Sequence, residues 1–201
     1  MKKFEYTPPE QPRELILKLG QKITDRIGHT VTAEDPEYYG LEALVTDEMA
    51  EVALKMKVRK PMTLAQAVKA TGKEEKVLEE LLQEMSNIGL LEYNWENPKH
   101  EKQYVLPMYV PGSAEFFNMK LDQIKEHPEV ASFFERMAFL PLQKVTPMVP
   151  PGGAGIGMHV IPVEKAIETE NESVSVEHIS HWLDKYDGKY AAGPCSCRYS
   201  R

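Results

Sequence analysis

The chain has two cysteines, Cys195 and Cys197, which stand one residue apart and are followed directly by Arg198. A disulfide between them would close a small, strained ring, so the spacing favours binding of a soft metal or electron exchange. Arg198 would favour the thiolate form and offset the negative charge of a thiolate cluster. Iron–sulfur clusters are normally held by four thiolates, of which this chain supplies two. The pattern predicts Cys195 and Cys197 as metal ligands supported by Arg198; two ordinary free cysteines are the alternative.

Two histidines offer a different metal site. His178 and His181 fall at positions i and i+3 of a predicted helix, where both imidazoles can reach one ion. With Cys195 and Cys197 they would form a Cys2His2 set, the composition of a structural zinc site. The C-x-C spacing is poor for zinc, and both histidines lie on the polar side of the helix. Zinc is therefore the alternative metal, set against two solvated surface histidines.

A glycine-rich run, GGAGIG, contains Gly153, Gly155 and Gly157 and invites a dinucleotide-binding interpretation. That fingerprint follows a strand and opens a helix, so that backbone amides meet the pyrophosphate. PMVPP precedes this run and MHVIP follows it, and neither fits that context. The run predicts a loop, and no catalytic set stands out before residue 190.

Charge and hydropathy exclude several classes of protein. The net charge of −7 and the pI near 5.5 provide no field that would attract nucleic acid or an anionic membrane. The N-terminal residues lack the apolar core of a secretory signal. No apolar run approaches the ~18 residues of a membrane span, and two cysteines do not make a disulfide scaffold. We therefore expect a soluble, cytoplasmic protein.

The elements that would position these residues include a helix–turn–helix pattern. Thr63 and Gln66 form a capping box that opens a short helix, which Gly72 ends. A longer helix follows and ends at Gly89; its expected apolar stripe is Val77, Leu78, Leu81, Leu82 and Met85. Two strand-like pieces, LLEY and QYVL, then flank a polar tip. Helix, glycine turn, helix and hairpin is the order of a winged helix-turn-helix.

Further helices are predicted on both sides of this pattern. Before it, residues 12–28 form a helix, a polar stretch (HTVTAEDPEYYG) follows, and Thr46 caps another helix. After it, residues 113–126, 128–140 and 175–186 form helices, with a Pro/Gly-rich stretch before the last. The expected buried positions are Leu15, Leu19, Ile23, Ile27, Met49, Val52, Ala53, Met56, Phe116, Phe117, Leu121, Ile124, Val130, Phe133, Phe134 and Met137.

The predicted fold class is α+β, mostly α, in two parts. Residues 1–110 form a winged-helix-like domain. Residues 111–201 form a helical segment whose long Pro/Gly-rich loop leads into the cysteine pair. Fold class alone does not assign a function.

The charge of the predicted winged helix argues against DNA. Its would-be recognition helix, residues 73–85, carries two lysines against five glutamates. The hairpin tip adds Lys99 and Lys102, but Glu96 and Glu101 cancel them. Because neutralising phosphates supplies most of the affinity for DNA, we expect this part of the chain to dock protein instead.

Five stretches, taken in order, carry a resemblance to a known family: LVTDEMAEVALKM, LLQEMSNIGLLEY, YVLPMYVPGSAEF, IPVEKAI and AAGPCSCR. The chain resembles the N-terminal region of iron–sulfur oxidoreductases of anaerobic microbes, of the 4Fe-4S ferredoxin type. In that family a winged-helix-like segment precedes a cysteine-rich region, and some members continue into flavin and NAD(P)-binding modules. The resemblance implies that Pro194 to Arg198 open this region, with Cys195 and Cys197 as ligands of a 4Fe-4S cluster.

The family has further cysteines downstream, and the given sequence does not contain them, so we expect it to be a fragment. The expected function is the N-terminal part of an oxidoreductase involved in electron transfer, not catalytic by itself. Its winged lobe would dock another domain of the same protein or an electron-transfer partner. Two alternatives stay open: a winged-helix transcription regulator with a cysteine-based metal or redox sensor, and a non-enzymatic protein-interaction module.

Overall fold

A computed structural model describes residues 6–134, 183–189, 193 and 195 of the chain. In this part of the chain, helices and a small antiparallel sheet make a mostly α, α+β fold, which confirms the predicted class. The helices are α1 (Glu14–Ile23), α2 (Pro36–Leu44), α3 (Asp47–Lys55), α4 (Leu64–Thr71), α5 (Glu75–Ile88), α6 (Ser113–Phe117), α7 (Leu121–Glu126) and α8 (Glu129–Phe134). The strands are β1 (Met62–Thr63), β2 (Glu92–Asn94) and β3 (Gln103–Val105).

The described residues fall into two units, one with residues 6–134 and 195 and the other with residues 183–189 and 193. In the first unit, one hydrophobic core gathers side chains from α1 to α5, the sheet, and the residues that follow it, including Tyr109, Phe117 and Val130. In the second unit, residues 183–185 form a helical turn, and the chain then turns at Gly188 with a φ of 69°. The predicted division near residue 110 stays a prediction.

Helix α1 is shorter than the sequence predicts. Ile16, Leu19 and Ile23 are buried along one face, as an amphipathic helix requires. The helix ends there because Thr24 leaves the helical conformation, with a ψ of 140°, and its hydroxyl donates to Glu37 Oε1 at 2.6 Å. The expected burial of Ile27 is wrong, since its side chain is fully exposed.

Helix α2 begins in the polar stretch of residues 29–40, for which no helix is predicted. Asp35 stands at the N-cap and Pro36 at the first helical position, where a missing N–H costs nothing. Tyr38 and Tyr39 are buried, and the Tyr38 hydroxyl donates to Glu42 Oε1 at 2.8 Å. Tyrosine combines a large apolar ring with a polar end, so it can be buried like an aliphatic residue. The buried face of α2 is formed largely by two adjacent tyrosines, and a search for spaced aliphatic residues does not find it.

The predicted caps of the middle helices are confirmed. The Thr46 hydroxyl accepts from the backbone N–H of Met49, and Thr63 and Gln66 form the complete capping box at the start of α4. Gly72 and Gly89 end α4 and α5 in the left-handed conformation. The expected core residues Met49, Val52 and Ala53 of α3 are buried, as is Met56, which directly follows the helix. In α5, Leu78, Leu82 and Met85 are buried, but the expected burial of Val77 is wrong, since it lies at the surface.

The sheet has the strand order β1–β3–β2, with both pairs antiparallel. The hairpin of β2 and β3 places Tyr93 opposite Tyr104, and β1 pairs Met62 with Tyr104 on the other side. Because β2 is an edge strand, its outer side faces no other strand in the described ranges. The order helix, strand, helix, helix, hairpin agrees with the predicted pattern, and the winged-helix assignment itself stays a prediction.

The helix predicted over residues 113–126 is divided into α6 and α7. Buried Asn118 follows α6, and its amide Nδ2 donates to Ala114 O at 2.8 Å and to Val130 O at 2.9 Å. These bonds hold the end of α6 against α8, so the chain turns before α7 begins. Leu121 was expected to be buried; it is exposed, because the turn places it at the surface.

Several predicted features lie outside the described residues. They include the loop with GGAGIG, the side chains of Phe133, Phe134 and Met137, and most of the helix predicted over 175–186. Among the described helices, α5 is the longest at 14 residues, and none is long and apolar enough to cross a bilayer.

Candidate functional site

The predicted metal ligands are described only in part. Cys195 is a free cysteine at the surface. Cys197, Arg198, His178 and His181 lie outside the described residues. Among the residues that are described, no group of three or more His, Cys, Asp or Glu side chains could hold a metal ion. The cluster site and the alternative zinc site both stay predictions.

A groove of about 460 Å³ lies where α5, β2 and α6 meet. α5 contributes Ser86 and Asn87, β2 contributes Glu92 and Tyr93, and the segment at the end of α6 contributes Phe116, Met119 and Lys120. Most of the surface inside the groove is carbon. The sequence does not reveal this groove, because its walls come from two segments separated by more than twenty positions.

Gly89 allows the two walls to approach. Its φ of 94° belongs to the left-handed region that glycine adopts easily. A Cβ at this position would lie 2.8 Å from the Cβ of Phe116, so only glycine leaves room for α6. The expected role of Gly89 as a helix end is confirmed, and the structure adds a second role, that of fixing the floor of the groove.

An aromatic cluster borders the groove at the hairpin. The rings of Tyr93 and Trp95 meet edge to face with centroids 6.4 Å apart, and Tyr93 and Tyr104 do the same at 5.6 Å. The Lys102 ammonium lies 4.2 Å from the centre of the Tyr93 ring and donates to Gln83 Oε1 at 2.8 Å. Tyr93 thus contacts two aromatic rings and an ammonium group, which restrict its movement. A fixed aromatic side chain costs little conformational entropy when a partner binds.

Large apolar side chains are exposed beside this groove. Trp95 is 51% exposed and Met119 is 43% exposed, and Leu121, which follows the groove residue Lys120, is also at the surface. Single exposed apolar residues are common on proteins. Several of them next to a concave, mostly apolar surface are typical of a place where another protein binds.

The outer face of α5 is acidic. Its four glutamates, Glu75, Glu79, Glu80 and Glu84, are exposed. In the described part of the chain, no cationic group forms a salt bridge with any of them. We call these four residues the acidic face. Such a face repels nucleic-acid phosphates and attracts cationic groups.

A buried charge cluster joins the end of α1 to the start of α2. Arg26 Nε donates to Glu37 Oε1 at 2.8 Å, and Arg26 Nη2 donates to Glu37 Oε2 at 2.5 Å and to Asp35 Oδ1 at 2.8 Å. The Glu37 side chain is 1% exposed. His29 Nε2 lies 3.0 Å from Asp35 Oδ1. Every charge has a partner of opposite sign nearby, so the cluster serves the fold and is not a reactive site.

Replacing Asp35 by asparagine should remove a pH-dependent part of the stability. Burial alone raises the pKa of this carboxyl, but hydrogen bonds from Arg26 and Thr32 outweigh burial and lower the pKa from 3.8 to about 2. The folded state thus favours the ionised form, and the resulting stability, about 2 kcal/mol, is present above pH 4. It is lost as the pH falls from about 4 to about 2.

Urea unfolding of the wild type and of D35N checks this result. At pH 7 the variant should be less stable by about 2 kcal/mol, and the difference should shrink steadily below about pH 4. A difference that stays constant down to acid pH would show that the carboxylate contributes no titratable stability.

The chain matches no protein-family model, and no curated protein or solved structure is similar to it. Function is therefore inferred from the residues of this chain alone. The described residues offer one surface with several features of a binding site, the groove with its exposed apolar border and the neighbouring acidic face.

Proposed function

We propose that this chain is the N-terminal part of an iron–sulfur oxidoreductase and that its groove-bearing lobe docks a protein partner. The observation that carries the docking role is the combination of an apolar groove with the exposed acidic face of α5, which forms no salt bridge within the described residues. The electron-transfer role rests on Cys195 and Cys197, on Arg198 beside them, and on the resemblance of five stretches to that family.

The donor set of the chain fits part of an iron–sulfur cluster. Thiolates are the usual ligands of such clusters, and the exposed Cys195 is accessible to one. Cys195 and Cys197 would hold the cluster from one side, and Arg198 would offset its negative charge. The other two thiolates would come from further polypeptide. When bound, the cluster would supply one-electron transfer, and any flavin or NAD(P) site would belong to other modules of the parent protein.

The second candidate is a protein-interaction module without metal, and the groove favours it directly. The apolar lining and the exposed Trp95 and Met119 need no cluster to bind a partner. The third candidate, a transcription regulator, is opposed by the acidic face, since phosphates would meet four carboxylates.

Iron and acid-labile sulfide, measured per chain on protein purified without oxygen from its natural source, test the electron-transfer role. We expect iron together with sulfide, in a species whose intact mass exceeds the 22.9 kDa of this sequence. A metal-free species of that mass would overturn the proposal in favour of the interaction module.

Variants in the same source sharpen the assignment of the ligands. C195S/C197S should reduce iron per chain to background, because serine oxygen is a poor ligand for a cluster that thiolates hold. The matched control S196A/S200A changes two nearby residues and should retain iron. Equal iron content in both variants would show that the cysteine pair holds no cluster.

A further inference from the structure

We propose that the groove and the acidic face together bind an extended, cationic protein segment that carries one apolar anchor residue. This inference rests on the docking role proposed above and names the chemistry of the partner. The groove would take the apolar side chain, and the acidic face would take the positive charges that flank it.

The apolar half of the site is already formed. Phe116 and Met119 stand on one side of the groove and Tyr93 on the other, and Gly89 leaves the floor open. Tyr93 is fixed by its edge-to-face contacts with Trp95 and Tyr104. A side chain that enters therefore meets a surface that needs little rearrangement, which is the property that lets an anchor residue contribute to affinity.

The charged half of the site lies along the same helix. Glu79 stands two turns before Ser86, which lines the groove, and seven residues of helix at ~1.5 Å each span roughly 10 Å. Glu80 and Glu84 form a second row on the helix, with Glu84 three residues before the groove residue Asn87, and both are likewise exposed. Four carboxylates stand against Lys76 and against Lys102, whose ammonium donates to Gln83 Oε1 of α5 at 2.8 Å, so this part of α5 carries a net negative charge. A cationic segment would relieve this repulsion on binding, whereas an anionic one would increase it.

An extended conformation fits because part of the groove wall is formed by β2. Glu92 and Tyr93 of this edge strand line it, and within the described ranges no strand covers their outer side. An edge strand offers backbone N–H and C=O groups to a segment that lies beside it. At ~3.3 Å per residue, the roughly 10 Å between Glu79 and Ser86 corresponds to about three residues of extended chain. The positive charges of the segment should thus stand about three positions from the apolar anchor.

A labelled ten-residue peptide tests this geometry. It carries three lysines, and one leucine three positions after the last of them, on a serine background. Two control peptides replace the lysines by glutamate or the leucine by serine. Fluorescence anisotropy with the full chain should show binding of the first peptide only, and the binding should weaken at high salt. No binding of the first peptide, or equal binding of the leucine-free peptide, would overturn the proposal.

Protein variants locate the site. E79Q/E80Q/E84Q should weaken peptide binding about tenfold, which corresponds to about 1.4 kcal/mol. The control E10Q/E34Q/E51Q removes three exposed carboxylates elsewhere and should change it little. For the apolar anchor, M119S should weaken peptide binding about tenfold. Its control is I27S, which removes an exposed apolar side chain far from the groove in sequence. Equal losses in site and control variants would show diffuse attraction and overturn the proposal.

Two further probes test whether the groove binds nucleic acid or a membrane instead of a protein segment. The chain should bind neither a DNA duplex nor vesicles that contain anionic lipid. If it binds one of them and M119S weakens that binding, the nucleic acid or the membrane is the partner of the groove, and the proposed protein segment is not. C195S/C197S should bind the peptide as the wild type does. A protein that contains iron and sulfide but does not bind the peptide would thus overturn the docking inference alone. A protein that binds the peptide but contains no iron or sulfide would overturn the iron–sulfur proposal alone.

Discussion

Replacing Arg26 by methionine should lower the free energy of unfolding by about 3–5 kcal/mol. The variant leaves the carboxylate of Glu37 buried without a counter-charge, because two of the Glu37 hydrogen bonds come from Arg26. Thr24 would remain as a donor, and a single neutral hydroxyl does not replace a guanidinium. Asp35 would also lose its bond from Arg26. Urea unfolding at pH 7 measures the loss.

Two companion variants distinguish a buried-charge effect from a general loss of packing. R26M/E37L removes both charges and should be more stable than R26M, because no carboxylate then remains buried without a counter-charge. K18M breaks the exposed pair of Lys18 and Glu14 and should change stability by less than about 1 kcal/mol. The explanation fails if R26M costs no more than K18M, or if R26M/E37L is the less stable of the two cluster variants.

Replacing Gly40 by alanine should destabilise the fold by about 3 kcal/mol. In most helices this change is stabilising by up to about 1 kcal/mol, since alanine is the better helix former. Here a Cβ would overlap the hydroxyl of Tyr109, which is buried and donates to Pro36 O at 2.7 Å. Either the hydrogen bond breaks or α2 moves away from Tyr109. Thermal and urea unfolding measure the cost.

The double-mutant cycle with Y109F identifies the cause. Phenylalanine lacks the hydroxyl that the new Cβ would meet, so G40A/Y109F should be more stable than G40A alone. Y109F by itself should cost about 1 kcal/mol for the lost hydrogen bond. Additive effects of the two changes would show that the overlap of Cβ and hydroxyl is not what destabilises G40A.

Features that depend on neighbours in sequence were predictable here. The capping box of Thr63 and Gln66 and the glycines that end α4 and α5 act within a few residues, and all are found as predicted. The apolar spacing of α3 likewise gave the correct core positions. The acidic character of α5 was visible in the sequence, because it is a property of one helix.

Features made by distant residues were not predictable. α1 ends at Ile23 because Thr24 and Arg26 form hydrogen bonds with Glu37. No residue near Ile27 in the sequence indicates these bonds. Asp35 before Pro36 is a local sign of a helix start, and it stands in the polar stretch for which no helix is predicted. The groove needs Phe116 to pack on Gly89, a contact that only the folded chain creates.

Tyr109 sets an order of events during protein synthesis. Its backbone N–H donates to Ile23 O at 2.7 Å, and its hydroxyl reaches Pro36 O across 73 positions of the chain. The junction of α1 and α2 thus lacks these two bonds until the ribosome has made that residue. At ~5–20 residues per second, the delay after Pro36 is roughly 4–15 s. During this delay, the bonds from Thr24 and Arg26 to Glu37 are the ones available to hold the end of α1 against α2.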